Sequence, residues 1–200
     1  MALEIKFGTD GWRAMVAKEF TVENVARIAQ GTADWVKNQK LPLVAVVGHD
    51  CRFGGPLFAD TVAKVFLHNG FEVHLSVGPV TTPMVSLGAK ELNTGIGVII
   101  TASHNPPTDN GFKLKGNHGG PLLEADVKAV ETFIPDAIEF DLDVIELSSF
   151  RESGKLKTAE LEDMFVEKVE ANFDLAAIRN SDMEFAYDAM YGSGQFVMRR

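Results

Sequence analysis

Leu43-Val-Ala-Val-Val47, closed by Gly48, is an uninterrupted apolar run of strand length. Such runs belong to strands covered on both faces, as in parallel sheets. Moving toward the C-terminus, a polar loop His49–Pro56 follows. Then Leu57–Asn69 carries Phe58, Val62, Val65 and Phe66 on one helical face, with Gly70 as its stop. Phe71–Leu75 is a second strand, Val77–Thr82 a loop, and Pro83 a first-turn proline for a helix to about Leu92. Gly95–Ile100 is a third buried strand that runs straight into the polar loop Thr101–Asn110. Phe112–Lys115 is a short returning strand, antiparallel in this reading, followed by a turn at Gly116–Gly120 and a helix over Leu122–Phe133.

On the N-terminal side, Val22, Val25, Ile28, Ala29, Thr32, Trp35 and Val36 recur at three and four, predicting a helix to about Asn38 with Thr21 as a plain cap. A capping box would need Glu or Gln where Asn24 stands. Glu4–Lys6 is a short alternating segment, and Gly8–Arg13, with two glycines, reads as an ordered turn between short strands. Alternation of strand and helix predicts an α/β fold: a three-layer α/β/α sandwich on a mixed, mostly parallel four-stranded sheet. Polar, glycine-rich loops follow the strands at their carboxyl ends, where such sheets place ligands.

Residues 134–157 have weak periodicity and read as the tail of this unit and a connection. Thr158 is placed as the cap of a helix through about Phe173, and Met183–Tyr187 as a strand leading into Asp188-Ala-Met-Tyr-Gly-Ser-Gly194, with a helix starting at Gln195. This predicts a first domain over 1–145, then a linker and the truncated beginning of a second, similar domain over 146–200, since one strand alone makes no stable layer.

Composition removes several classes of function. The chain carries a net charge of −9 and no basic stripe, which argues against nucleic acid. Residues 1–122 hold 11 Lys and Arg against 10 Asp and Glu, and residues 123–200 hold 8 against 18. The near-neutral first part is the better host for an anionic small molecule. Apolar stretches fall far short of the ~20 residues of a membrane span, and Lys6, Asp10 and Arg13 interrupt any signal-like run. A single cysteine, Cys51, rules out an internal disulfide and suits the cytoplasm.

The strongest chemistry lies in Gly97-Val-Ile-Ile-Thr-Ala-Ser-His-Asn-Pro106 and its continuation to Lys115. A rigid strand delivers Thr101, Ser103, His104 and Asn105 into a loop stiffened by two prolines. A serine hydroxyl needs activation or a charged surrounding to act as a nucleophile, and His104, Lys113 and Lys115 are at hand. Thr101-Ala-Ser-His-Asn-Pro106 resembles the phosphoserine loop of the α-D-phosphohexomutases, the phosphoglucomutase/phosphomannomutase family. Lys6-Phe-Gly-Thr-Asp-Gly-Trp-Arg13 resembles that family's N-terminal motif, Gly48-His-Asp-Cys-Arg52 its Gly-x-Asp-x-Arg segment, and Asn110-Gly-Phe-Lys113 its Asn-Gly-x-Lys, all in the family's order.

The resemblance implies that Ser103 is phosphorylated and exchanges its phosphoryl group with a hexose phosphate through a bisphosphorylated sugar. This interconverts hexose 1-phosphate and hexose 6-phosphate. It implies Lys113 as acid–base group, with His104 and Asn105 shaping the loop beside Thr101. Arg13 would neutralise phosphate, and Arg52 with Asp50 would brace the loop. A Mg²⁺ ion would touch the Ser103 phosphate, and a sugar bisphosphate would serve as activator. The family's metal loop, Asp-Gly-Asp-x-Asp, has no counterpart in these 200 residues. The expectation is therefore an inactive fragment that needs downstream domains of the same polypeptide. Tyr191 stands where the family often has histidine. Two other readings remain: a sugar-phosphate or nucleotide-binding module without turnover, and an assembly or regulatory domain that retains the fold.

Overall fold

The computed structural model describes residues 2–8 and 11–200; Thr9 and Asp10 of the N-terminal motif lie outside the described residues. The chain runs β1 (Trp12–Met15), α1 (Val22–Asn38), β2 (Val44–His49), α2 (Gly55–His68), β3 (Glu72–Pro79), α3 (Thr82–Glu91), β4 (Ile96–Ile100) and β5 (Asp109–Lys115). It continues with α4 (Glu124–Phe133), α5 (Leu147–Glu152), β6 (Leu156–Ala159), α6 (Leu161–Asn172), α7 (Leu175–Arg179) and a 3₁₀ turn at Val197–Arg199.

The strands form one mixed sheet in the order β1-β5-β4-β2-β3-β6. β2 pairs in parallel with β3 and β4, and β6 in parallel with β3. β5 is antiparallel to both β4 and β1. The four-stranded sheet expected from the sequence is therefore corrected to six strands. Of the two additional strands, β1 begins inside the Gly8–Arg13 turn and runs two residues past it. Its four residues are too short to show a period, yet Trp12 is buried opposite Phe112. β6 lies in the segment taken for a connection and a helix cap. Only its ends, Leu156 and Ala159, are buried, so it lacks the alternation that marks a half-buried strand. Thr158 sits inside this strand, and α6 begins after Glu160 instead. Met183–Tyr187 alternates in sequence but forms no strand, and Gln195 precedes the 3₁₀ turn rather than starting a helix.

Two apolar layers flank the sheet. One collects α1, α2 and α4 against Ala45, Val47, Val73, Val98, Ile100 and Phe112. Within it Trp12 stacks on Phe20, and Phe20 meets Phe58 edge to face. The other, smaller layer holds Val46, Ile99 and Ala159 under α3 and α6. Gly88 on α3 makes room for Leu161, since a Cβ there would lie 2.7 Å from Leu161 Cδ2. Thr21 caps α1 by accepting from the Asn24 amide. No helix among the described residues is long and apolar enough to cross a membrane.

Candidate functional site

Antiparallel pairing of β4 with β5 turns Thr101–Thr108 into a closed loop, pinned at its base by the Ile100–Phe112 register and by the Thr101 amide donating to the Gly111 carbonyl at 2.9 Å. Gly111 is required at that base. A Cβ would lie 2.5 Å from the Thr101 carbonyl oxygen and 3.0 Å from that of Trp12.

Arg52 holds the loop from outside. Its guanidinium donates to four loop carbonyls: Pro106 at 2.8 Å, Asp109 at 2.9 Å, Ser103 at 2.9 Å and Asn105 at 2.7 Å. Asp50 completes the brace: it accepts from the Arg52 amide at 2.9 Å and from the Thr101 hydroxyl, and its Oδ2 lies 3.6 Å from Arg52 Nε. Planar, multidentate donation of this kind is what arginine provides and lysine does not.

On this brace Ser103 is exposed, with φ +57°, in the left-handed region. Its amide donates to Thr101 Oγ1 at 3.2 Å, and its Oγ lies 3.3 Å from His104 Nδ1. Arg13, on β1, donates to Asn105 Oδ1 at 3.2 Å, which brings a cation to the loop. Asn105 in turn donates to Asp109 Oδ2 at 3.1 Å.

Lys113 pairs in register with Ile99, and Lys115 with Gly97, so both lysines lie on the α3 side of the sheet. Arg13 pairs with Gly111 and shares that side. Both lysines are 4% exposed. The stem of Lys113 is covered by the N-terminal motif: a Cβ on Gly11, which has φ +100°, would lie 2.8 Å from Lys113 Cγ.

A cleft of about 450 Å³ opens beside Ser103. Arg52, Phe53 and Asn105 form part of its wall, and Met190 and Ser193 from the C-terminal segment form another part. The sequence reading did not single out Phe53, Met190 or Ser193. An exposed aromatic after an arginine carries no periodic signal that could have marked it. Cys51 also lines this cleft; burial first, and the Asp50 carboxylate second, push its thiol pKa up.

Among the described residues there is no group of three or more His, Cys, Asp or Glu able to hold a metal ion. Of the carboxylates at the loop, Asp50 is committed to Thr101 and Arg52, and Asp109 accepts from Asn105 and Thr108. These residues do not by themselves fit a Mg²⁺ cage.

Comparison with known proteins agrees with this fold. The family model for "Phosphoglucomutase/phosphomannomutase, alpha/beta/alpha domain I" matches residues 4–140, which span Arg13, Arg52, Ser103 and Lys113. A phosphoribomutase of Saccharomyces cerevisiae is 35% identical over 212 residues, covering 95% of this chain and 33% of its own. A phosphoglucosamine mutase of Rhodospirillum rubrum is 34% identical over 140 residues, covering 70% of this chain and 31% of its own. The chain thus spans about a third of the length of these relatives. Among solved structures, a candidate phosphomannomutase from Thermus thermophilus superposes with a TM-score of 0.79 at 33% identity, over 89% of this chain and 38% of that one. The Paramecium phosphoglucomutase pp63/parafusin, at 19% identity and a TM-score of 0.78 over 97% of this chain and 41% of its own, shares the fold. From the braced serine loop, the sheet order and the match over residues 4–140, the chain belongs to the phosphoglucomutase/phosphomannomutase family, through that family's α/β/α domain I.

Proposed function

We propose that Ser103 is the phosphoryl carrier of a phosphohexomutase, a role this chain fills together with the rest of a longer polypeptide. The observation that carries the proposal is the brace: one arginine immobilises four carbonyls around an exposed serine hydroxyl, with a second arginine reaching the same loop. Phosphoryl transfer depends on positioning and charge neutralisation more than on covalent help from the protein.

In the proposed step, phosphoserine donates to a hydroxyl of a hexose phosphate. The Ser103 Oγ–P bond breaks, the sugar O–P bond forms, and the hydroxyl proton leaves to a base while Oγ regains one. Return of the other phosphoryl group to Ser103 reverses those bonds and yields the isomeric monophosphate. Lys113 is proposed as the acid–base group on the sugar side. His104, 3.3 Å from Oγ, is proposed to handle the serine proton, Arg13 to neutralise the phosphate, and Thr101, Asn105, Asp50 and Arg52 to hold the loop. A Mg²⁺ ion on the Ser103 phosphate belongs to the proposal, with its carboxylates supplied outside the described residues. The relatives' names span ribose, glucosamine, glucose and mannose phosphates, so the substrate is proposed only as a phosphorylated sugar, a hexose first. A cytoplasmic setting is proposed from the single cysteine.

The test is intact mass of the longer polypeptide, downstream domains included, after exposure to a hexose bisphosphate. A gain of one phosphoryl group that vanishes in Ser103→Ala supports the proposal. A gain that persists in Ser103→Ala sinks it and points elsewhere on the chain. Sugar-phosphate binding without any gain favours the non-catalytic reading.

A further inference from the structure

We infer that Phe53 is the platform on which the sugar ring lies while its phosphate meets Ser103; this rests on the phosphoryl-carrier reading above. Phe53 is 81% exposed. A single exposed phenylalanine is ordinary on a protein surface. This one differs in two respects: its backbone is locked, and it stands in the wall of the cleft beside Ser103.

The lock has three parts. Arg52 precedes it and is fastened to the serine loop through four carbonyls. Gly54 follows it at φ +75°, where a Cβ would lie 2.7 Å from the Phe58 ring. The Phe53 carbonyl accepts from Asn110 Nδ2 at 3.1 Å, and Asn110 is fully buried, with its own Oδ1 accepting from the Gly111 amide at 2.8 Å. A buried amide at the base of the serine loop thus fixes the backbone that presents the ring. The ring and the nucleophile are referenced to the same strand, β5.

The chemistry of the cleft favours a sugar there. A pyranose has polar edges and an apolar C–H face, and flat aromatic surfaces take that face at low entropic cost. Arg52 has its donors committed to the loop, so it is not available to grip hydroxyls. Met190, 80% exposed, adds a second apolar side chain to the same cleft. Contacts to a part of the substrate that does not react are a source of orientation for the part that does.

The experiment follows phosphorylation of Ser103 by intact mass, using two donors: glucose 1,6-bisphosphate, which has a ring, and acetyl phosphate, which has none. Phe53→Ala is expected to slow labelling by the bisphosphate roughly 10-fold while leaving acetyl phosphate unchanged, and Phe53→Tyr to restore the rate. Equal slowing with both donors means that Phe53 only supports the loop, and no slowing with either means that the ring touches nothing relevant. Both results overturn the inference and leave Ser103 as carrier. Both donors and all variants are tested in the longer polypeptide that carries the downstream domains; absence of labelling there by either donor overturns the carrier reading, and the platform falls with it.

Discussion

Replacing Arg52 by methionine keeps an aliphatic stem and removes the guanidinium. Four donations to loop carbonyls disappear, along with the charge beside Asp50. Two of the four, to Asp109 and Asn105, are partly buried; the other two, to Pro106 and Ser103, are exposed. Water replaces the exposed pair at little net cost. The partly buried pair, made by a charged donor, is worth about 1.5 kcal/mol each, so the expected loss is about 3 kcal/mol. Asp50 is not stranded, because the Thr101 hydroxyl and the backbone amide at position 52 still serve it. With a urea slope of about 3 kcal/mol/M, the unfolding midpoint should fall by about 1 M. Amide exchange at Asn105 and Asp109, whose N–H groups are bonded to Ala102 and Pro106 within the loop, should accelerate in step. A midpoint within about 0.2 M of the original, together with unchanged exchange at those two amides, would refute the claim that one side chain organises the loop.

Two further outcomes follow from the same contacts. Gly111→Ala forces a Cβ to within 2.5 Å of the Thr101 carbonyl and should cost about 2 kcal/mol or more by thermal or urea unfolding; a neutral result would mean that β5 can shift away from the loop base. Glu72 is held below its ordinary value of 4.5, first by its hydrogen bond from Lys157 and next by His74, so its contribution is present above that pH and lost as the pH falls through the depressed folded value. Because Lys157 is about half exposed, Lys157→Met should cost only about 0.5 kcal/mol at neutral pH, and that difference should vanish in acid; a penalty that grows on acidification contradicts the pairing.

The central strands were readable because burial on both faces leaves a continuous apolar run: Val44–His49 and Ile96–Ile100 lie almost where the runs predict. The antiparallel return was legible over Phe112–Lys115, but Asp109 and Asn110, read as part of the polar loop, already belong to the strand. Edge strands escape this logic. Leu156–Ala159 needs only two buried side chains because β3 supplies its ladder on one side, and nothing in four residues announces that partner. Met183–Tyr187 fails in the opposite sense: its alternation satisfies the period of a strand, but a strand exists only where another backbone pairs with it. The site divides in the same way. Thr101–Asn105 was conspicuous as a motif, and the resemblance implied that Arg52 braces the loop, but which four carbonyls it reaches, more than fifty positions away, is a property of the folded chain alone.

Ser103 keeps a backbone geometry that its side chain does not favour. At φ +57° asparagine, aspartate or glycine is more at ease, and a serine there forgoes about 1 kcal/mol. Directed evolution of this chain for heat resistance alone would drift toward Asn at that position and gain robustness by discarding the hydroxyl. Persistence of serine under such a regime would mark a requirement that thermal selection does not see.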